Sequence, residues 1–178
     1  LGLHRRLVDL FQRATTTRVV HRAVQIAVIA KAGVGIDELT ALARLAPGGR
    51  LVAITGAGPI GVMATAIVRH AGARRIAVSD LRAERLELAA RAGADLVVDV
   101  SRGQDLAWAQ AELGMLEGFD IGLEMSGAPD AVRGMLENLN HGARVALLGL
   151  PQSPYEIDWG KVITHMITLK GIYGREMF

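Results

Sequence analysis

The sequence predicts an α/β domain, a doubly wound parallel sheet of about six strands with helices on both faces. Three observations predict it. From Leu51 onward, short apolar runs alternate with helix-like stretches, as in buried parallel strands joined by crossover helices. The first apolar run ends in a glycine-rich turn that opens a helix. Hydrophobic residues make up 51% of the 178-residue chain, enough for one ordinary core.

The elements follow in order. Residues 51–55 read as a strand. A helix over 59–71 begins at Pro59, where a missing N–H is harmless in the first turn. Residues 75–79 form a second strand, and 82–92 a helix that Gly93 closes. A third strand spans 96–99, followed by a helix over 104–113. A fourth strand, 119–124, leads to a helix over 129–139, and a fifth strand spans 143–148. A short helix or extended segment around 158–163 precedes a sixth strand at 168–173. Right-handed crossovers between such strands give the doubly wound order.

Ahead of this unit, residues 1–46 read as helical. Val20, Val24, Ala27 and Val28 share a face, and 37–45 has the pattern of a short amphipathic helix capped by Asp37. No chemistry attaches to this segment. Pro47 with Gly48 and Gly49 marks a turn, so the division is 1–46, of unassigned role, and 47–178.

Composition excludes several functions. The 20 basic and 18 acidic residues leave a net charge of only +2, and aromatic residues are 4%, so nucleic-acid binding gains no support. There is no cysteine, hence no disulfide and no thiolate metal site or nucleophile. The longest apolar run, near 26–30, is far short of the roughly 20 residues a membrane span needs. No signal peptide is evident, and the expected location is the cytoplasm. His4, His21, His70, His141 and His165 do not pair at metal-ligand spacing and read as surface or packing residues. Tyr155 is followed four places on by Trp159 and Tyr173 by Met177, so neither heads a YxxxK pair. The esterase elbow and the P-loop are also absent. The sequence therefore names no catalytic residue and no metal ligand.

The chemistry lies in Gly56-Ala57-Gly58-Pro59-Ile60-Gly61, a GxGxxG run placed between a strand and a helix. Gly56 allows the tight turn, Gly58 lets backbone approach a pyrophosphate, and Gly61 lets helix pack on strand. The phosphates would sit at the helix N-terminus, where free N–H groups favour an anion. The alternative is a plain glycine-rich turn. Asp80, ending the second strand, is placed to accept hydrogen bonds from adenosine ribose hydroxyls. Its charge would repel a 2′-phosphate, which favours NAD over NADP. The alternative is an Asp that caps the next helix, and both roles can coexist. Arg85 is read as flanking the ribose and Arg82 as solvated. Two loops, Glu124-Met125-Ser126-Gly127 and Leu148-Gly149-Leu150-Pro151, fall at strand ends where ligands bind in open α/β sheets. From spacing alone they are equally well ordinary turns.

These motifs, together with Arg85-Leu86-Glu87-Leu88-Ala89, Glu117-Gly118-Phe119-Asp120, Asn140-His141-Gly142, Ile157-Asp158-Trp159 and the run from Lys170 to Phe178, resemble the medium-chain zinc-dependent dehydrogenases. Within that superfamily they are most similar to the bacterial L-threonine 3-dehydrogenases. The likeness covers about residues 51–178. It implies NAD contacts at Ile60, Asp80, Arg85, Leu148, Gly149, Leu150, Ile172 and Tyr173. It also implies oxidation of the L-threonine 3-hydroxyl by hydride transfer to NAD, a zinc-bearing catalytic domain, and a homo-oligomer in which residues around 161–172 make contacts. The chain departs from the family in lacking every cysteine and in residues 1–46, so zinc belongs to the full-length family and has no site here. The expectation is a truncated cofactor domain, inactive alone. The competing readings are a dehydrogenase for another secondary alcohol or polyol, and a non-catalytic NAD-binding module. A methyltransferase-like nucleotide site is disfavoured, because Gly61 keeps the helix-packing position.

Overall fold

The structure, a computed structural model, describes residues 49–172. The helices expected within 1–46, and Tyr173, lie outside the described residues. The elements are β1 (Leu51–Thr55), α1 (Pro59–His70), β2 (Arg75–Asp80), α2 (Ala83–Ala92), β3 (Leu96–Asp99) and a 3-10 turn (Val100–Arg102). They continue with α3 (Leu106–Glu112), β4 (Phe119–Glu124), α4 (Pro129–Glu137), β5 (Leu139–Leu147), α5 (Trp159–Thr164) and β6 (Thr168–Gly171).

Side chains on the strands alternate between two apolar layers, which is why the strands read as continuous apolar runs. Val52, Ile54, Ile76, Val78, Ile121 and Leu123 pack under α1 and α2 with Met63, Val68, Leu86 and Ala89. Ala53, Ala77, Phe119 and Val145 face the other way, against Leu106 and Ala109 of α3 and Val132, Met135 and Leu136 of α4. Helices thus cover both faces. The six strands are all parallel, in the order β3-β2-β1-β4-β5-β6. The doubly wound expectation holds.

Strand starts are tied by carboxylates at the opposite end of the sheet from the glycine-rich turn. Asp95 accepts the Ile76 N–H at 2.7 Å and pairs with both Arg69 and Arg75. Asp120 accepts the Leu51 N–H at 2.9 Å. These bonds satisfy strand-end donors that have no ladder partner.

Several boundaries differ from the sequence reading. α3 starts at Leu106, not 104, because Asp105 is its N-cap and accepts the Trp108 N–H at 2.7 Å. The segment near 158 is a helix, capped by Asp158 through the Lys161 N–H at 3.0 Å. α4 stops at Glu137 and β5 begins at Leu139, where 143 was expected. Leu139 pairs with Phe119, but Arg144 already pairs with Ile121, so β5 carries a bulge around Gly142, at φ +71°. The polar Asn140-His141-Gly142 run thus lies inside the strand, between a pair at Leu139 and the pairing that resumes at Arg144. β6 ends at Gly171, where 173 was expected. Among the described residues, no helix is long and apolar enough to cross a membrane.

Phe119 is fully buried at the β4–β5 junction. Phe119→Ala should lower unfolding free energy by about 3–5 kcal/mol, through lost burial and a residual cavity. Urea denaturation of the 178-residue chain measures this.

Candidate nucleotide site at the switch point

β1 is flanked by β2 on one side and β4 on the other, and successive crossovers leave it in opposite directions. This is a topological switch point, and in open α/β sheets ligands bind in the crevice at the carboxyl ends of the strands there, here β1 and β4. Three loops rim it, following β1, β4 and β5.

The β1 loop is shaped by glycine at two positions for reasons internal to the protein. Gly56 sits at φ +88°, and a Cβ there would lie 2.9 Å from the Ser126 backbone nitrogen. A Cβ on Gly61 would land on the Gly56 carbonyl oxygen. Gly58 is different, since a Cβ there would meet no protein atom within 4 Å. It is the N-cap of α1, with extended backbone, no side-chain cap and no acidic residue in the first turn. The space beside Gly58 is open, next to the positive end of a twelve-residue helix. Ile60 is half-buried and packs on the apolar layer beneath.

Asp80 closes one side of this loop. Its side chain is only 8% exposed. Oδ2 accepts the Ala57 N–H at 2.7 Å, and Arg85 Nη1 lies 3.7 Å from the same oxygen. Oδ1 accepts the Arg82 N–H at 2.9 Å, just ahead of α2, while the N-cap of α2 itself is Arg82, with no side-chain cap bond. Of the two roles weighed for Asp80, the structure bears on the helix cap alone, and Asp80 meets it only in part, bonding one residue ahead of α2. It turns the chain toward α2, and it also pins the glycine loop to β2. Arg82 is largely exposed, as expected, and lies 3.9 Å from Glu84.

The other two loops converge on Glu124, whose role sequence reasoning missed. Its side chain is buried, at 1% exposure. Oε1 accepts N–H bonds from Ser126 at 2.7 Å and Gly127 at 3.0 Å, the Ser126 hydroxyl, and the Thr55 hydroxyl at 3.4 Å. Oε2 accepts from Gly127 at 3.1 Å. Its backbone carbonyl takes the Leu148 and Gly149 N–H groups at 2.8 and 2.9 Å. Gly149 has no room for a Cβ, which would strike the Gly127 nitrogen and the Glu124 carboxylate. Gly127, at φ +71°, lies against the Leu150 backbone in the same way. Leu148 and Ile172 pack on the apolar layer, and the Ile172 N–H bonds to the Leu147 carbonyl at 2.9 Å. Leu150 itself is 85% exposed. A charge that ends an apolar strand and is followed by Ser-Gly was the available signal.

The structure thus places Gly56, Gly58, Ile60, Gly61 and Asp80 around one loop, with Arg85 beside Asp80. Leu148, Gly149, Leu150 and Ile172 stand on the β4 side of the crevice. Tyr155, half-buried in the loop after β5, has its phenol pushed above the ordinary tyrosine value by burial and then by the Glu124 charge. His141 and His165 stack with ring centroids 4.3 Å apart, a packing contact rather than a paired metal site. Among the described residues, no group of three or more His, Asp or Glu is arranged to hold a metal ion.

The two helix-start glycines make opposite predictions. Gly61→Ala should lower the melting temperature by several degrees or prevent folding, because backbone must move. Gly58→Ala should leave the melting temperature within about a degree, since the added methyl enters open space. Thermal unfolding followed by circular dichroism distinguishes them.

Residues 59–177 match the family described as zinc-binding dehydrogenase. The L-threonine 3-dehydrogenase of Streptomyces coelicolor is 58% identical over 130 residues, covering 73% of this chain and 38% of that protein. The L-threonine 3-dehydrogenase of Pectobacterium atrosepticum is also 58% identical, over 73% of this chain and 36% of its own length. A zinc-binding dehydrogenase from Sinorhizobium meliloti, solved bound to NADP, aligns with a TM-score of 0.65 at 30% identity, over 72% of this chain and 38% of that one. The chain thus spans less than two-fifths of the length of these relatives. With most of its length matched and this fold in place, the chain belongs to the zinc-binding dehydrogenase family.

Proposed function

We propose that residues 47–178 are the NAD-holding part of an L-threonine 3-dehydrogenase. The observation that carries the nucleotide reading is the contrast at the α1 start. Gly56 and Gly61 are required by protein contacts, whereas the space at Gly58 is open and bounded by an uncapped helix end. A pyrophosphate matches that opening in charge and hydrogen-bonding need. The identity of the relatives, 58% at best among those named above, carries the substrate reading.

In this reading, the backbone at Gly56, Gly58, Ile60 and Gly61 receives the pyrophosphate. Asp80 orients the adenosine ribose through its hydroxyls, and Arg85 flanks it. Each Asp80 oxygen already accepts one N–H bond and keeps a lone pair for a ribose hydroxyl. Leu148, Gly149, Leu150, Ile172 and Tyr173 bound the nicotinamide half. When bound, NAD supplies the hydride acceptor by which the threonine 3-hydroxyl carbon becomes a ketone, giving 2-amino-3-oxobutanoate, NADH and a proton. The chain's own part is to bind, to orient the ring, and to exclude water beneath the loops. Zinc finds no fitting ligand set among the described residues. Homo-oligomerisation near 161–172 and a cytoplasmic location belong to the same reading.

Asp80 also bears on cofactor choice. The Sinorhizobium meliloti relative was solved with NADP. Here a largely buried carboxylate ends β2, and a 2′-phosphate beside it would meet like charge. Calorimetric titration of the 178-residue chain should show NAD binding at least about tenfold tighter than NADP. Asp80→Asn, which keeps an acceptor for Ala57, should weaken NAD about tenfold and shrink the preference, as a charge-assisted bond becomes neutral. Tighter binding of NADP, or an unchanged preference in the variant, would remove Asp80 from this role.

A further inference from the structure

Glu124 is the one charged side chain among the buried polar residues described. Every donor that reaches its carboxylate is neutral: the N–H groups of Ser126 and Gly127 and the hydroxyls of Thr55 and Ser126. An all-donor environment fits an ionised acceptor. Among the described residues, none of the ion pairs includes Glu124. Both oxygens accept, which an amide side chain cannot match, and no cation offsets the charge, so its field extends beyond the hydrogen bonds that require it.

The field of this charge is not confined to its own turn. The Tyr155 phenol, in a separate loop, is held above its ordinary value in part by the Glu124 charge. The carboxylate also lies directly beneath Gly127 and Gly149, close enough that a Cβ on Gly149 would collide with Oε2. Gly149 belongs to the loop that the reading above assigns to the nicotinamide half.

We infer that Glu124 is a specificity-determining positioning residue, whose buried and unneutralised charge makes the crevice favour the cationic, oxidised nicotinamide over the neutral, reduced ring. This inference rests on the NAD reading proposed above. The carboxylate does two things at once: its hydrogen bonds fix the loops, and its charge discriminates between oxidation states. The first effect acts equally on NAD+ and NADH, since both share every atom of the dinucleotide except the added hydride. Only the second changes their ratio. A unit charge about 10 Å away at an intermediate dielectric shifts an affinity ratio by roughly three- to tenfold.

The test titrates the 178-residue chain with NAD+, NADH and AMP, comparing wild type with Glu124→Gln, a near-isosteric neutral variant. The expected result is a three- to tenfold fall in affinity for NAD+ relative to NADH, with AMP affinity unchanged. An unchanged ratio, or equal weakening of all three ligands, overturns the inference and leaves Glu124 a loop tie alone. Should Glu124→Gln fail to fold, Tyr155→Lys decides, because it brings a cation into the field of Glu124 from a half-exposed position. It should lower the same ratio, and an unchanged ratio overturns the inference. Ser126→Ala, which removes a donor and keeps the charge, should weaken NAD+ and NADH by the same factor; a changed ratio there would also overturn it. If the folded wild type binds none of the three ligands, the NAD reading fails and this inference with it, a result distinct from every outcome above.

Discussion

Backbone meets backbone at the carboxyl end of the sheet, and this contact sets everything above it. The loop after β1 touches the loop after β4 at Gly56 and Ser126, and the latter touches the loop after β5 at Gly127 and Gly149. Side chains would hold these loops apart. What holds them together is a buried carboxylate that receives four donors, and a backbone carbonyl that receives two more. Hydrogen bonds to a charged acceptor contribute about 1.5–3 kcal/mol each, against a desolvation penalty of several kcal/mol for the ion. The two sums are comparable, so the cluster determines geometry more than it adds stability.

The contact has a counterpart on the other side of β1. Asp80 reaches the Ala57 N–H and so fixes the glycine loop to β2. Two acidic residues at strand ends therefore bracket the crevice, Asp80 largely buried at its rim and Glu124 sealed beneath the loops. Their surroundings differ in one respect that matters. Asp80 has Arg85 beside it, while Glu124 has only neutral donors. In the proposed reading the first meets ribose hydroxyls at the rim, and the second acts at a distance through its charge.

Much of this was legible in the sequence, for local reasons. The bounds of β1, β3 and β4 follow from apolar runs that end at glycine or acid, and the close of α2 follows from Gly93 in the left-handed conformation. The placement of the glycine fingerprint between β1 and α1, and of Asp80 at the end of β2, was legible because each depends on position along one strand-turn-helix unit. The start of β5 was not legible, because Asn140-His141-Gly142 has the composition of a turn and its pairing depends on a bulge opposite β4. The Glu124 cluster was not legible either. A charge at a strand end ordinarily meets solvent, and its burial arises only when three loops, distant in sequence, close over it. The division between Gly58 and its neighbours has the same origin, since only the folded loop shows which glycines the protein itself requires.

The proposed role of this chain is to hold and orient a dinucleotide at the carboxyl end of the sheet. The most direct measurement is amide chemical-shift mapping of NAD onto the isotopically labelled 178-residue chain. The largest shifts are expected at Ala57, Gly58, Ile60, Gly61, Asp80, Gly127, Leu148, Gly149 and Ile172, all at one end of the sheet. Shifts concentrated elsewhere, such as between α4 and α5 or around Asp95 and Asp120 at the opposite end, would contradict that role.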